Sequence, residues 1–313
     1  DHAAALALAG DVLRAAGRLE EARARYDAAL AADPDQPAAR AGRARLHLED
    51  GDLAAADALE VPEDDRSPAL ALAWADAAAD RGELAAAIAK LDDVLAQNPG
   101  WLPALLRRGD AHRRLGQMAE ASRDLERAVR LAATDPRARF RRGLLRRDLG
   151  DHEAARDDFD RAIGLDPDFA AAYVARGALY QAAGRHDVAA RDFERALALA
   201  PEDVDALTHQ ATSECVAGRF ARCRATAERA IARRADDWRA HVAKGHALLG
   251  EERTSAAVEA YADAVAHVSK ERGPWLLARL QKHLRPRLTD RSGVAGTFLA
   301  AQDVEQLQAL MAE

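Results

Sequence analysis

Arg107, Arg113, Arg114, Arg137, Arg141 and Arg147 stand in one stretch of the chain beside Leu106, Phe140, Leu144 and Val174, with Asp110 as the main acidic interruption. A guanidinium is planar and permanently charged, so it can hold a carboxylate through two parallel N–H bonds. An apolar side chain beside it adds contact that fixes register. Such a set binds; it makes and breaks no covalent bond. It suits an extended or helical segment carrying both carboxylates and hydrophobic groups. A plainer reading stands next to it. Arginines outnumber lysines 41 to 4, so biased composition alone puts arginine on any solvated face.

Residues suited to covalent chemistry lack the spacing it needs. No Gly-rich phosphate loop, H-E-x-x-H or G-x-S-x-G occurs. None of the ten histidines lies three or four residues from another histidine or a cysteine. His241 and His246, five apart, point to different faces of a helix. The sequence therefore predicts no catalytic residue, no metal site and no cofactor. Cys215 and Cys223 are too few for a disulfide framework in 313 residues. Cys223 reads as a small packing residue, and Cys215 as a groove residue without the cationic neighbours that activate a thiolate. The acid pairs Asp92–Asp93 and Asp157–Asp158 read as solvated outer faces.

Charge is unevenly spread over a chain of net −7. Residues 1–101 are net −10, residues 102–147 carry 13 arginines against 5 acids for net +8, and the remainder is −5. The arginine set therefore lies in a positive segment of an acidic protein. No apolar run approaches the 18 residues of a membrane span, and no signal peptide is evident. The chain starts at Asp1 without a methionine, so it reads as part of a longer protein.

The elements that must position these residues follow from a repeat. A glycine turn of the form G-[DERQ]-x-x-x-A recurs at Gly17, Gly51, Gly82, Gly116, Gly150, Gly184 and Gly218, with Glu252 in phase. The step is 34 residues six times and 31 once. Aromatic residues are 4% and alanine and leucine dominate, so each unit reads as two helices of about a dozen residues around the turn. The units start near 3, 37, 68, 102, 136, 170, 204 and 238, with unit two shortened. Place 8 of each first helix is glycine or alanine, and the second helices carry Ala22, Ala56, Ala87, Ala121, Ala155, Ala189, Cys223 and Ala257. These small residues are expected to face each other across the pair, beneath a bulky layer of Tyr26, Leu91, Leu125, Phe159, Phe193 and Tyr261. Pro34, Pro99, Pro167 and Pro201 are expected to stop second helices. Ala190 is expected to face outward.

This pattern, in register over residues 3–271, resembles the tetratricopeptide repeat family. The resemblance implies an all-α, right-handed superhelical solenoid whose first helices line a concave groove. Unit two's short second helix predicts a change of curvature near residues 57–67. Residues 272–285, with Pro274, Trp275, Leu276, Leu280 and Leu284, read as a capping helix, since a last repeat has no neighbour to cover it. Residues 286–313 read as a linker and an amphipathic helix bearing Val304, Leu307, Leu310 and Met311.

Counted from each unit start, places 2, 5, 9 and 12 share the side away from the partner helix, with place 6 beside them. Place 5 holds Leu72, Leu106, Phe140 and Val174. Arg108, Arg142 and Arg176 at place 7 are expected along the helix interface, stems buried and heads wet. The function expected is a non-enzymatic interaction module that binds a peptide or partner domain in the groove. Its partner would carry acidic and hydrophobic groups, and no membrane. Nucleic-acid binding through 102–147, self-association through the C-terminal helix, and service to an enzyme domain outside the chain are the alternatives. Scarce aromatics for base stacking weigh against nucleic acid. The family's lysine–asparagine clamp for acidic chaperone termini is not matched, since Asn98 is the only asparagine. Arginine-rich, alanine-rich composition points to a bacterial, cytoplasmic protein.

Overall fold

The computed structural model describes residues 2–15, 17–50, 55–56 and 68–267, and every regular element among them is an α-helix. The chain divides into two compact units, Asp1–Asp158 and Phe159–Glu313. The first contains α1 (His2–Ala15), α2 (Leu19–Ala32), α3 (Pro37–Glu49), α4 (Pro68–Asp80), α5 (Leu84–Gln97), α6 (Leu102–Arg114), α7 (Met118–Leu131) and α8 (Pro136–Asp148). Helix α9 (His152–Leu165) spans the division. The second unit contains α10 (Ala170–Ala182), α11 (His186–Leu199), α12 (Val204–Val216), α13 (Phe220–Arg233), α14 (Trp238–Gly250) and α15 (Thr254–His267). Helices pack as consecutive pairs, α1 with α2, α6 with α7, α12 with α13 and α14 with α15 among them. The expected capping helix, C-terminal helix and curvature change lie outside the described residues.

Starts and stops follow local chemistry. Helices α2, α5, α9 and α11 each end two residues before the expected proline. Gln36, Asp135, Asp203 and Asp237 cap α3, α8, α12 and α14 by accepting backbone N–H bonds that a helix start leaves unmade. The turn glycines Gly17, Gly82, Gly116, Gly150, Gly184 and Gly218 have φ between 71° and 84°, a region that costs other residues a Cβ clash. In repeat eight that position is taken by Glu252, at φ 63°. The glycine two places earlier serves another purpose: a Cβ on Gly250 would come within 2.3 Å of the Phe220 ring.

All eight small residues of the second helices are at most 1% exposed, as are the six bulky ones. At Gly10, Gly109, Gly177 and Gly245 the small place of the first helix meets the bulky layer, whereas in repeat seven Ala211 clusters with the small Cys223. A Cβ on Gly109 would lie 2.7 Å from Leu125, and one on Gly177 2.7 Å from Phe193. Glycine there makes room for a ring or a leucine. Ala190 is also buried rather than outward, at 6% exposure.

Candidate partner-binding face

Ion pairs at a fixed spacing tie the helix pairs together. Arg108, Arg142 and Arg176, all at place 7, bond bidentately to the residue sixteen positions on: Asp124, Asp158 and Asp192, at 2.6–2.9 Å. Arg43, Arg108 and Arg176 also reach sixteen residues back, to Asp27, Asp92 and Asp160. The stems lie along the helix interface as expected, but the heads are paired rather than merely wet. Asp158 corrects the reading of a solvated acid pair. Its side chain is 1% exposed and is surrounded by Arg139, Arg142 and Arg146. A carboxylate so buried needs those partners to offset lost hydration. The hydrogen bond to Asp192 is the main cause that raises the Arg176 pKa above the ordinary guanidinium value.

The arginines of the first unit's open face are also paired, with acids of the same face. Arg107 Nε donates to Asp76 at 2.6 Å. Asp110 is held by Arg113 at 2.9 Å and by Arg141 at 3.0 Å. Arg113 also bonds Asp148, which Arg147 approaches at 2.9 Å. Burial alone would lower the Arg113 pKa, but Asp110 and Asp148 outweigh it and raise it. Arg137 lies apart from this network. It bonds Asp135, the cap of its own helix, and that bond is the main cause holding the Asp135 carboxyl below the usual range.

Arg114 differs. It is exposed, and its guanidinium donates to the Ala79 carbonyl oxygen at 2.9 Å, with no carboxylate partner among the described residues. Together Arg107, Arg114 and Arg141 wall a cavity of about 210 Å³ with Asp76, Asp80 and Asp110. Ala75, Ala79, Ala87, Ala111 and Leu91 line the rest. Of the expected apolar line, Leu106 is only 5% exposed and belongs to the core. Leu72, Phe140 and Leu144 are half-buried, and so is Val174 in the second unit.

On the second unit's open face places 6, 9 and 12 carry neutral polar groups, while place 2 carries the Arg239–Asp205 ion pair at 2.7 Å. Gln181 Nε2 donates to the His209 carbonyl oxygen and to Ser213 Oγ, both at 3.0 Å. His209 Nδ1 lies 2.7 Å from Gln181 Oε1, and its ring stacks on Phe193 at 5.3 Å. In repeat seven the buried acid is Glu214 on the first helix, which accepts from Gln210 and Thr226 and pairs with the exposed Arg222 of the second helix at 3.3 Å. Cys215 and Cys223 are disulfide-bonded, with Cα atoms 5.2 Å apart. Sequence reasoning treated the two cysteines separately. Yet Cys223 is only eight residues on, across a tight helix–turn–helix, which brings the pair within bonding range.

Comparison with known proteins agrees with this architecture. Models described as tetratricopeptide repeats match residues 72–136, 106–170 and 210–272, then 10–51, then 170–203. No curated protein sequence matches the chain. Among solved structures, the APC/C hetero-tetramer Cut9–Hcn1 aligns at 15% identity and TM-score 0.65, over 88% of this chain and 55% of that one. Yeast Tom70 aligns at 13% identity and TM-score 0.61, over 87% of this chain and 62% of that one. A tetratricopeptide repeat protein from Parabacteroides merdae aligns at 19% identity and TM-score 0.54, covering 88% and 98%. The chain thus spans little more than half of the Cut9–Hcn1 chain, and these likenesses establish fold alone. With helix pairs at a 34-residue step and family models matched along both units, the chain belongs to the tetratricopeptide repeat family, whose folds generally serve as protein-interaction scaffolds.

Proposed function

We propose that the face formed by α4, α6 and α8 holds a segment of a partner protein, or of another domain of the same polypeptide, and that this chain catalyses nothing itself. The cavity where three guanidinium groups and three carboxylates meet beside alanine carries the reading. Arg114 is the group with charge to spare, so it takes a ligand carboxylate. Exposed Asp80 stands on the same cavity and favours a nearby ligand N–H. Arg107 and Arg141, already paired, contribute orientation more than net charge. Half-buried Leu72 and Phe140 supply apolar contact, so the segment carries acidic and hydrophobic groups. Composition supports a bacterial polypeptide acting in the cytoplasm. The bonded Cys215–Cys223 pair gives that location its own test, because disulfides persist in oxidising compartments and are rare in the cytosol.

The binding test is an array of acidic, leucine-containing peptides probed with the chain, Arg114→Glu and Phe140→Ala. Both variants should lose binding while their melting temperatures stay near that of the parent chain. Salt should weaken the complex moderately, since apolar contact is not screened. Binding of single-stranded RNA with a steep fall in affinity against log salt, indifferent to Phe140→Ala, would replace the peptide reading with a nucleic-acid one.

A further inference from the structure

Helix α1 presents to solvent what comparable first helices bury. Places 3 and 10 of a first helix lie against the second helix of the repeat before. Ala39 clusters with Ala29 of α2, and Leu46 with Ala22 and Tyr26 of α2. In the second unit Ala240 clusters with Ala230 of α13, and Ala247 with Cys223 and Ala227. The pairs α5–α6, α7–α8 and α11–α12 also pack together. In α3, α6, α8, α12 and α14 the residues at these two places are no more than 3% exposed.

Repeat one has Ala5 and Val12 at the same places, with Leu8 at place 6 between them. Ala5 is exposed, Leu8 is 66% exposed and Val12 63%, the two highest values among the large hydrophobics of the described residues. Residues 5, 8 and 12 share one stripe of a helix. Water therefore covers a face that elsewhere in this chain is a packing interface.

We infer that the stripe is a stacking surface whose occupant is the second helix of one further tetratricopeptide helix pair, placed N-terminal to α1 in the same polypeptide. The occupant follows from continuity with the interfaces already present. In all five, the covering helix is the one immediately before in the chain, joined by a link of four residues: 33–36, 98–101, 132–135, 200–203 and 234–237. The same link would enter α1 at its His2 end. Leu8 also specifies the occupant's side chain. At the equivalent place Gly42 leaves room for Tyr26, and a Cβ there would come within 2.3 Å of that ring. With leucine at place 6, a ring in the occupant cannot sit over that place as Tyr26 sits over Gly42 and must pack beside it, as Phe193 packs beside His209.

The test compares this chain with one extended by the 34 residues its gene encodes before Asp1, each with and without Leu8→Lys plus Val12→Lys. In the present chain the double variant should bind less apolar dye and keep its melting temperature. In the extended chain the same pair should lower the melting temperature by about 5 °C or more, because two charges would be forced into a packed interface. An upstream sequence without the repeat pattern, or a double variant equally tolerated in both chains, would overturn the inference. So would a present chain that is a dimer and becomes monomeric in the double variant, since the stripe would then belong to a second copy.

Discussion

The open faces of the two units share a backbone and differ in chemistry. In the first, place 6 holds Arg107 and Arg141 and places 9 and 12 hold Asp76, Asp110, Arg113 and Arg147, so charge meets charge. In the second, places 6, 9 and 12 hold His209, Thr212 and Gln181, which satisfy one another or the backbone through neutral hydrogen bonds. The interior varies in the same way. Repeats four to six tie their helices with a bidentate arginine–aspartate pair, while repeat seven gathers an amide, a hydroxyl and an exposed arginine around a buried glutamate, with a disulfide nearby. The fold requires only that each polar group find a partner at the spacing the helix pair imposes. Which chemistry supplies it is free to follow function.

The strongest way to break this comparison is to remove the buried hub. Asp158→Ala should cost about 3–5 kcal/mol, because it strands three guanidinium groups. Thr226→Ala, at the equivalent place of repeat seven, should cost about 1–2 kcal/mol for one hydrogen bond. Equal losses in chemical denaturation would show that the two chemistries carry the same weight. Replacing both cysteines by alanine should cost the second unit about 2–3 kcal/mol, the chain-entropy value for so short a loop. Packing should survive, since alanine already fills the Cys223 place in the other repeats. Hydrogen exchange should confine that loss to the second unit.

Smaller effects sharpen the common frame. Ala155→Leu should overpack a site of zero exposure and cost about 1–3 kcal/mol. Ala198→Leu, on the exposed side of α11, should stay within about 0.5 kcal/mol. Glu252→Gly should raise stability by up to about 1 kcal/mol, because glycine adopts the left-handed turn without a Cβ clash. A loss there would mean that the glutamate side chain has a task of its own.

The repeat length, the helix stops and the buried small and bulky layers were all legible in the sequence, because each is a local signal repeated at a fixed step. What was not legible is which charges meet. Arg107, Arg113 and Arg141 read as open binding groups because Asp76, Asp148 and Asp110, which pair with them, lie 31, 35 and 31 residues away in neighbouring repeats, although Arg113 also takes Asp110 from its own helix. Asp158 read as solvated because Asp157 beside it is exposed, though adjacent residues of a helix face different ways. Yet a signal was present. Arginine at place 7 with aspartate sixteen residues on recurs three times, and that spacing joins the two helices of one pair. Cys215 and Cys223 were missed for a related reason: each was judged by its own neighbours rather than by the turn between them.

The sixteen-residue ladder has a consequence for how such a chain can change length. Arg108 takes one acid from its own unit and one from the unit before. Copying residues 102–135 in tandem would therefore copy the arginine, its forward partner Asp124, and Glu126 at the place from which the next arginine is served. Losing those residues would bring Asp92 into line with Arg142. Duplication or deletion of a whole unit thus leaves no buried charge orphaned, whereas a change of any other length shifts the register and strands one. Gene growth in whole repeats is favoured by the electrostatics themselves, one module at a time.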